Sequence, residues 1–331
     1  MKAKQKILVT GGAGYIGSFI VRELKKNGYN CVIVDSLSQG HKASVNGFKL
    51  YKVDLVEEKD ALSQIFKKEK FAGVIHMAAF IQMGESFSDP LKYFDNNLKA
   101  AINLLEVMQA FKVKRMVFSS SAGVYGKPQK LPIKENDSKN PENPYGETKL
   151  MVEKILSWCD KAWNLKFMSI RYFNAAGAAL DGSIGEDHPE ESHLIPLFLK
   201  AGIKGEEMTI FGNDYSTPDG TCIRDYIHVL DLARSHTLAM EALLDGDESD
   251  FYNAGFGRGI SNLQVVEAIR TITKMKLKLK VGPRRPGDAD ILYASIDKIK
   301  KRLNWQPKYG FKEIIESAYL WHKRCPKGYD R

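Results

Sequence analysis

The sequence predicts a doubly wound α/β fold: a parallel sheet covered on both faces, followed by a smaller C-terminal α/β lobe. Two observations carry this. β-Branched runs alternate with helical patterns through the first half of the chain, and a glycine turn joins the first run to the first helix. Candidate strands fall at Lys6–Thr10, Asn30–Asp35, Phe48–Asp54, Gly73–His76, Arg115–Ser120 and Lys166–Tyr172. Between them lie helical patterns near Tyr15–Asn27, Glu58–Lys70, Pro90–Phe111 and Tyr145–Trp163. Repeated strand–helix–strand units need right-handed crossovers, and those build a parallel sheet.

After about Ala175 the pattern loosens. Residues 177–191, rich in Gly, Pro and acidic side chains, read as a long loop, a length that usually signals function or disorder. Further helices are expected at Leu194–Gly202, Val229–Leu244, Asn262–Thr273 and Phe311–Arg324. From Lys274 to Val281 lysines alternate with apolar residues, the pattern of an edge strand guarded against aggregation rather than of a nucleic-acid patch. The expected division is a first unit over 1–175 and a second over 176–331, with segments near 225–260 returning to the first.

Composition narrows the classes. With 331 residues, 44% hydrophobic and 27% charged, the chain can bury a core and is not a disordered protein. No apolar run approaches the ~20 residues of a membrane span. Met1–Gln5 is too short for a signal peptide, and Cys31, Cys159, Cys222 and Cys325 lack any metal-finger spacing. Reduced thiols in the cytoplasm are therefore expected. The net charge of +9 suits nucleic acid, an anionic surface or a small polyanion, and composition does not choose among them.

Motifs do choose. Gly11, Gly14 and Gly17 follow the first strand and open the first helix, where backbone amides can meet a pyrophosphate if no side chain intervenes. This is the Rossmann-type context that gives an otherwise weak glycine pattern its meaning. Asp35 ends the second strand, eighteen residues after Gly17. A carboxylate there accepts ribose hydroxyls and repels a 2′-phosphate, so NAD is expected rather than NADP. Asp54 ends the third strand and either reaches the adenine edge or caps the next helix.

Tyr145 and Lys149 stand four apart at the start of a helical pattern, on one face. An ammonium beside a phenol favours the phenolate and is expected to lower the tyrosine pKa from its usual ~10. Tyr145 can then act as a general base toward a sugar hydroxyl. Ser119-Ser120-Ser121 ends the preceding strand, at the edge where such sheets bind ligands.

With GGAGYIG, SSSAGVYG, PYGETK and RYFNAAGA in place, the whole chain resembles the extended short-chain dehydrogenase/reductase family, in its NAD-dependent epimerase/dehydratase branch. The later segments HLIPLFLK, IFGNDYSTPDGTCIRDYIHV and RRPGDADILY are similar to those of members that invert C4 of a UDP-hexose. The resemblance implies interconversion of UDP-galactose and UDP-glucose through transient oxidation at C4. It makes Tyr145 the base, Lys149 its pKa modulator and ribose anchor, and Ser121 the hydroxyl beside the sugar 4-OH. It puts Tyr15, Ile16, Asp35, Ser36, Asp54, Leu55, Ala78, Ala79, Phe80, Asn96 and Phe173 with the glycines at NAD. It puts Asn174, His193, Leu194, Phe211, Arg224, Arg285, Asp288 and Leu292 at the UDP-sugar. Arg224 and Arg285 suit a diphosphate, Asp288 a ribose hydroxyl and Phe211 the uracil. It also implies a homodimer joined through helices around Leu91–Gln109 and Pro144–Trp163, with no nucleic-acid or membrane partner.

Some positions depart from the family pattern. Ile81 stands where some members carry lysine, and Gly123 replaces a common hydroxyl residue. Leu292 is intermediate between the tyrosine of enzymes restricted to glucose and galactose and the small residues of those that also take N-acetylhexosamines. That leaves both substrate pairs open, including an enzyme whose main substrate is UDP-N-acetylglucosamine. Dehydratases carry an Asp-Glu pair after the serine strand and decarboxylases a glutamate; Ala122-Gly123 offers neither. A non-catalytic NAD-binding regulator would be expected to have lost the Tyr–Lys pair or the sugar pocket. His188 and His193, five apart on a loop, match no zinc motif, so no metal is expected. His228 reads as a structural histidine, and Met151, Trp158 and Trp163 as helix packing.

Overall fold

The computed structural model describes residues 5–285 and 288–329. Pro286 and Gly287, within the RRPGDADILY segment, lie outside the described residues. Six strands, β1 (Lys6–Thr10), β2 (Asn30–Asp35), β3 (Lys49–Lys52), β4 (Gly73–His76), β5 (Arg115–Ser119) and β6 (Lys166–Tyr172), enter one seven-stranded sheet. Asp250–Ala254 is the seventh, beside β6, and the order from that edge is Asp250–Ala254, β6, β5, β4, β1, β2, β3. Every pairing in it is parallel.

The chain starts in the middle of this sheet, fills one side with β2 and β3, then crosses to β4 and fills the other. The direction of winding therefore reverses between β1 and β4, and a crevice opens beyond their carboxyl ends. Asp250–Ala254 escapes the periodicity because its residues are mixed. Asn253 is fully buried, with Oδ1 accepting from the Tyr125 hydroxyl at 2.7 Å and Nδ2 donating to the Ile133 carbonyl at 3.0 Å. β5 stops at Ser119 because the Ser120 N–H turns to the Phe118 and Ile170 carbonyls.

Two apolar layers cover the sheet. On one side Phe19, Ile20 and Leu24 of α1 (Tyr15–Lys26) join Leu232, Met240 and Leu243 of the helix Val229–Asp245. On the other, α2 (Lys59–Glu69), α4 (Pro90–Ala110) and α5 (Pro144–Trp163) contribute Leu62, Phe66, Leu104, Met108, Val152 and Leu156. A short helix, α3 (Met83–Ser88), precedes α4. A third cluster joins the helices Leu194–Lys204, Asn262–Thr273 and Phe311–Arg324 through Phe198, Leu199, Val265, Ile269, Ile314 and Ile315. Each such side chain contributes about 1.5–3 kcal/mol on burial.

Two sequence expectations change here. The lysine-alternating strand covers only Lys278–Gly282, because Lys274 adopts φ 61° to end the preceding helix and Leu277 is buried. It pairs in parallel with Glu207–Phe211 in a two-stranded sheet. Trp158 is not packing within its own chain: it is 68% exposed on α5. Within the chain its ring is met by the Lys161 ammonium, 4.5 Å from the centroid. Among the described residues no helix is long and apolar enough to cross a membrane, and all four cysteines are free.

His76, His228 and His236 are buried, and burial pushes their pKa values down to about 3, 4 and 4. All three are neutral in the folded chain, while the unfolded chain binds protons below ~6.5. The contribution of these three to stability is therefore full above pH 6.5 and falls as pH drops from there toward about 4, each histidine adding to the slope. Urea unfolding midpoints measured between pH 8 and pH 4.5 check this; a midpoint unchanged below pH 6 would contradict it.

Candidate active site

The crevice at the β1–β4 reversal opens into a cavity of about 350 Å³. Its floor is the turn after β1. At Gly11, φ is +67° and a Cβ would lie 2.6 Å from the Ala78 amide nitrogen. At Gly17 a Cβ would lie 2.3 Å from the Gly11 carbonyl oxygen. Neither position has room for a side chain, so the backbone itself lines this end. Asp35 anchors the rim: Oδ2 accepts from Ala13 N–H at 2.9 Å and Oδ1 from Leu37 N–H at 2.8 Å. Burial pushes its pKa up while those two N–H groups pull it down. Each carboxylate oxygen keeps a further lone pair for a ribose hydroxyl.

All the residues expected at the cofactor line this cavity except Lys149. Of those expected at the sugar, Ser121, Tyr145, Asn174, His193 and Leu194 line it as well. Phe211, Arg224, Arg285, Asp288 and Leu292 do not; they gather in a second place. Arg224 Nη2 pairs with Asp288 Oδ1 at 3.1 Å, and its Nη1 donates to the carbonyls of Ile223 and Ala289. The Arg285 guanidinium lies 4.2 Å from the Phe211 ring centroid. Leu292 stands in register with Arg224.

The sequence starts α5 sharply at the Tyr145–Lys149 pair. Asn143 caps it, its Oδ1 accepting from Gly146 N–H at 2.8 Å, and Pro144 occupies the first turn, where no N–H is missed. Gly146 allows close approach: a Cβ there would lie 2.6 Å from the Gly123 carbonyl oxygen. Ser121 accepts from Gly123 N–H at 3.0 Å, which leaves its own proton for the Tyr145 hydroxyl. Gly123 thus serves this turn even though it lacks the hydroxyl common in the family.

Lys149 Nζ sits behind the phenol, 5.8 Å from the Tyr145 ring centroid, and donates to the Ser119 carbonyl at 2.8 Å. The expected lowering of the phenol pKa is not what the folded chain produces. Burial pushes Tyr145 up, with Tyr172 adding to it, and the Ser121 hydrogen bond is the opposing influence. Burial also pushes the Lys149 ammonium down to about 7, with Glu153 resisting. Desolvation therefore outweighs a partly charged ammonium on the far side of a ring.

Three positioning residues were not legible in the sequence. Thr10 Oγ1 and His76 Nδ1 meet at 2.7 Å, tying the ends of β1 and β4 together at the crevice. Asn97 accepts from Phe80 N–H at 2.9 Å and donates to Thr148 Oγ1 at 3.1 Å, holding the loop after β4 against α5. Side-chain contacts between residues this far apart in the chain cannot be read from its periodicity. The loop 177–193 also gathers Glu186, His188, Glu191 and His193 so that one ligand atom from each lies within 4.8 Å of the others. Histidine spacing alone excluded a metal; the carboxylates that complete the group lie one before and one between the histidines.

The family model described as "NAD dependent epimerase/dehydratase family" matches residues 7–255. The chain belongs to that family. A UDP-glucose 4-epimerase of Streptococcus mutans is 49% identical over 330 residues, covering 98% of each chain. A crystal structure of a UDP-glucose 4-epimerase superposes with a TM-score of 0.95 at 47% identity, over 98% of this chain and 100% of that one. The Bifidobacterium longum enzyme, in complex with NAD+ and UDP, gives 0.93 at 35% identity, over 98% and 100%. For a member of the epimerase/dehydratase family, the side-chain-free turn, the Asp35 rim and the Tyr145–Ser121 wall fit a dinucleotide laid along the cavity.

Replacing Gly17 by alanine is expected to abolish NAD binding with the fold retained, because the new methyl meets the Gly11 carbonyl at 2.3 Å. The NAD content of the purified variant, against its circular dichroism, checks this; full NAD content would refute the placement.

Proposed function

We infer that the chain catalyses the UDP-glucose 4-epimerase reaction, interconverting UDP-galactose and UDP-glucose with NAD as cofactor. The reading is carried by near half-identity to such epimerases over almost the whole chain, together with Tyr145 and Ser121 at one cavity wall and Lys149 next to Tyr145.

Gly11, Gly14 and Gly17 would carry the pyrophosphate on the α1 N-terminus, and Asp35 the adenosine ribose. When bound, NAD would supply a positively charged ring that favours the buried phenolate and a reversible hydride acceptor for C4 of the sugar. Tyr145 removes the O4 proton and later restores it, relayed or oriented by the Ser121 hydroxyl. Lys149, held on the Ser119 carbonyl, supplies positive charge behind the phenol and a donor to the nicotinamide-side ribose. Inversion needs a sugar that can turn within the pocket while its diphosphate stays fixed. Arg224 and Arg285 are assigned to that diphosphate, Asp288 to the uridine ribose and Phe211 to the uracil. Asn174, His193 and Leu194 are assigned to the sugar-phosphate side. In this scheme residues 1–175, with the segments near 225–260, hold the cofactor, and the rest of 176–331 holds the nucleotide sugar.

Tyr145→Phe is expected to lower kcat by at least roughly 100-fold while NAD stays bound. Conversion of UDP-galactose to UDP-glucose by the NAD-loaded variant measures it; undiminished turnover would remove Tyr145 as the base. Wild-type protein incubated in parallel with UDP-N-acetylgalactosamine tests the wider substrate range that Leu292 leaves open.

A homodimer through α4 and α5 belongs to the same reading. It is supported by large apolar side chains turned outward on these helices, Leu91 at 78% exposed and Trp158 at 68%. Trp158→Glu is expected to shift the mass measured by light scattering from dimer to monomer. A variant that stays dimeric would take this face out of the interface. Four free cysteines suit a cytoplasmic location.

A further inference from the structure

Beside the catalytic wall lies a cluster of which only His193 has a role in the epimerase reading. In the loop that leads into the helix Leu194–Lys204, two imidazoles and two carboxylates converge. His188 Nδ1 lies 3.4 Å from Glu186 Oε1 and 3.6 Å from Glu191 Oε1. His193 Nδ1 lies 3.8 Å from Glu191 Oε1 and is in direct contact with Glu186 Oε1. Four ligands on zinc at bond lengths of about 2.0–2.1 Å stand about 3.3–3.4 Å apart along the edges of a tetrahedron. Three of the four separations are within half an ångström of that edge.

The electrostatics point the same way. The Glu186 and Glu191 side chains are 3% and 7% exposed, and together they bring two negative charges into one buried place. Glu191 Oε1 accepts from the Ser192 and His193 N–H groups, but its Oε2 is buried without a hydrogen-bond partner. The nearest fixed cation is Lys200 Nζ, 3.7 Å from that oxygen. A dication held between them would offset both carboxylates.

We propose that Glu186, His188, Glu191 and His193 bind one zinc-class divalent ion as a closed, four-coordinate structural site. Two imidazoles argue against calcium or magnesium, which take oxygen ligands in higher coordination, and they suit zinc. With four protein ligands no position is left for a substrate, so the ion is a staple rather than a Lewis acid. It would pin the loop 186–193 to the start of the helix at Leu194, where His188, His193 and Leu194 form part of the cavity wall. Ligation through Nδ1 leaves the His193 Nε2–H free to donate. The Trp321 Nε1–H, donating to the Glu186 carbonyl at 2.9 Å, anchors the other side of the loop.

The test needs no turnover, so its result is independent of the epimerase assignment. The full NAD-loaded chain is stripped with a chelator, dialysed against zinc chloride and then against metal-free buffer, and its zinc is counted by mass spectrometry. About one zinc per chain is expected, with a rise in Tm. Cobalt(II) in place of zinc is expected to give the intense visible bands of a tetrahedral ion. His188→Ala should weaken zinc binding by at least roughly 10–100-fold. Glu191→Asp, which keeps the charge but shortens the reach, serves if His188→Ala does not fold. No retained zinc in the folded wild-type chain, or equal retention by a folded variant, would overturn the proposal.

Discussion

The placement of Tyr145 against Ser121 depends on one buried ion pair. Glu153 on α5 and Arg171 on β6 are both almost wholly buried, with Nη2 to Oε2 at 2.7 Å and Nε to Oε1 at 2.9 Å. Taking two charges out of water is costly, and their attraction offsets the cost only when every remaining donor and acceptor is satisfied. Here they are. Glu153 Oε1 also accepts from the Ser120 and Ser169 hydroxyls, and Arg171 Nη1 donates to the Tyr125 hydroxyl and the Glu135 carbonyl. The network welds α5 to β5, β6 and, through Tyr125 and Asn253, to Asp250–Ala254. Lys149 is one helical turn before Glu153 and Tyr145 one turn before that, so this clamp sets where the phenol meets Ser121.

Burial does two opposed things in the site. It pushes the Tyr145 phenol up and the Lys149 ammonium down to about 7, so each resists its charged form in the free chain. The same burial makes any positive charge brought beside the phenol act in a low-dielectric place, where it shifts the proton far more than in water. A phenol buried this way gives up its proton readily only when such a charge is in position. The five residues of the second cluster stand apart from the cavity, and Arg224 spends its donors on Asp288 and two carbonyls.

Much of the scaffold was legible in the chain. β1, β2, β4 and β6 begin and end where β-branched runs and their flanking turns put them, and α5 begins one residue before the expected Tyr145. These boundaries rest on local chemistry: glycine at a left-handed turn, asparagine as a cap, proline in a first turn. The strand Asp250–Ala254 was missed because its Asn253 is buried to satisfy Tyr125, a reason that lies far away in the chain. Trp158 was misread because an apolar residue on a helix does not say what covers it.

By itself, then, the sequence determined whatever backbone periodicity controls: the glycine turn before α1, the carboxylate ending β2, and a tyrosine and lysine on one helix face. Those relations span a few residues, and bond geometry sets their distances. Only the tertiary structure decided the Glu153–Arg171 clamp, the Thr10–His76 tie and the convergence of Glu186 and Glu191 on His188 and His193. It also reversed the direction of the Tyr145 shift. Each of these is set by how packed layers bring distant segments together and exclude water, and spacing along a chain carries no measure of either.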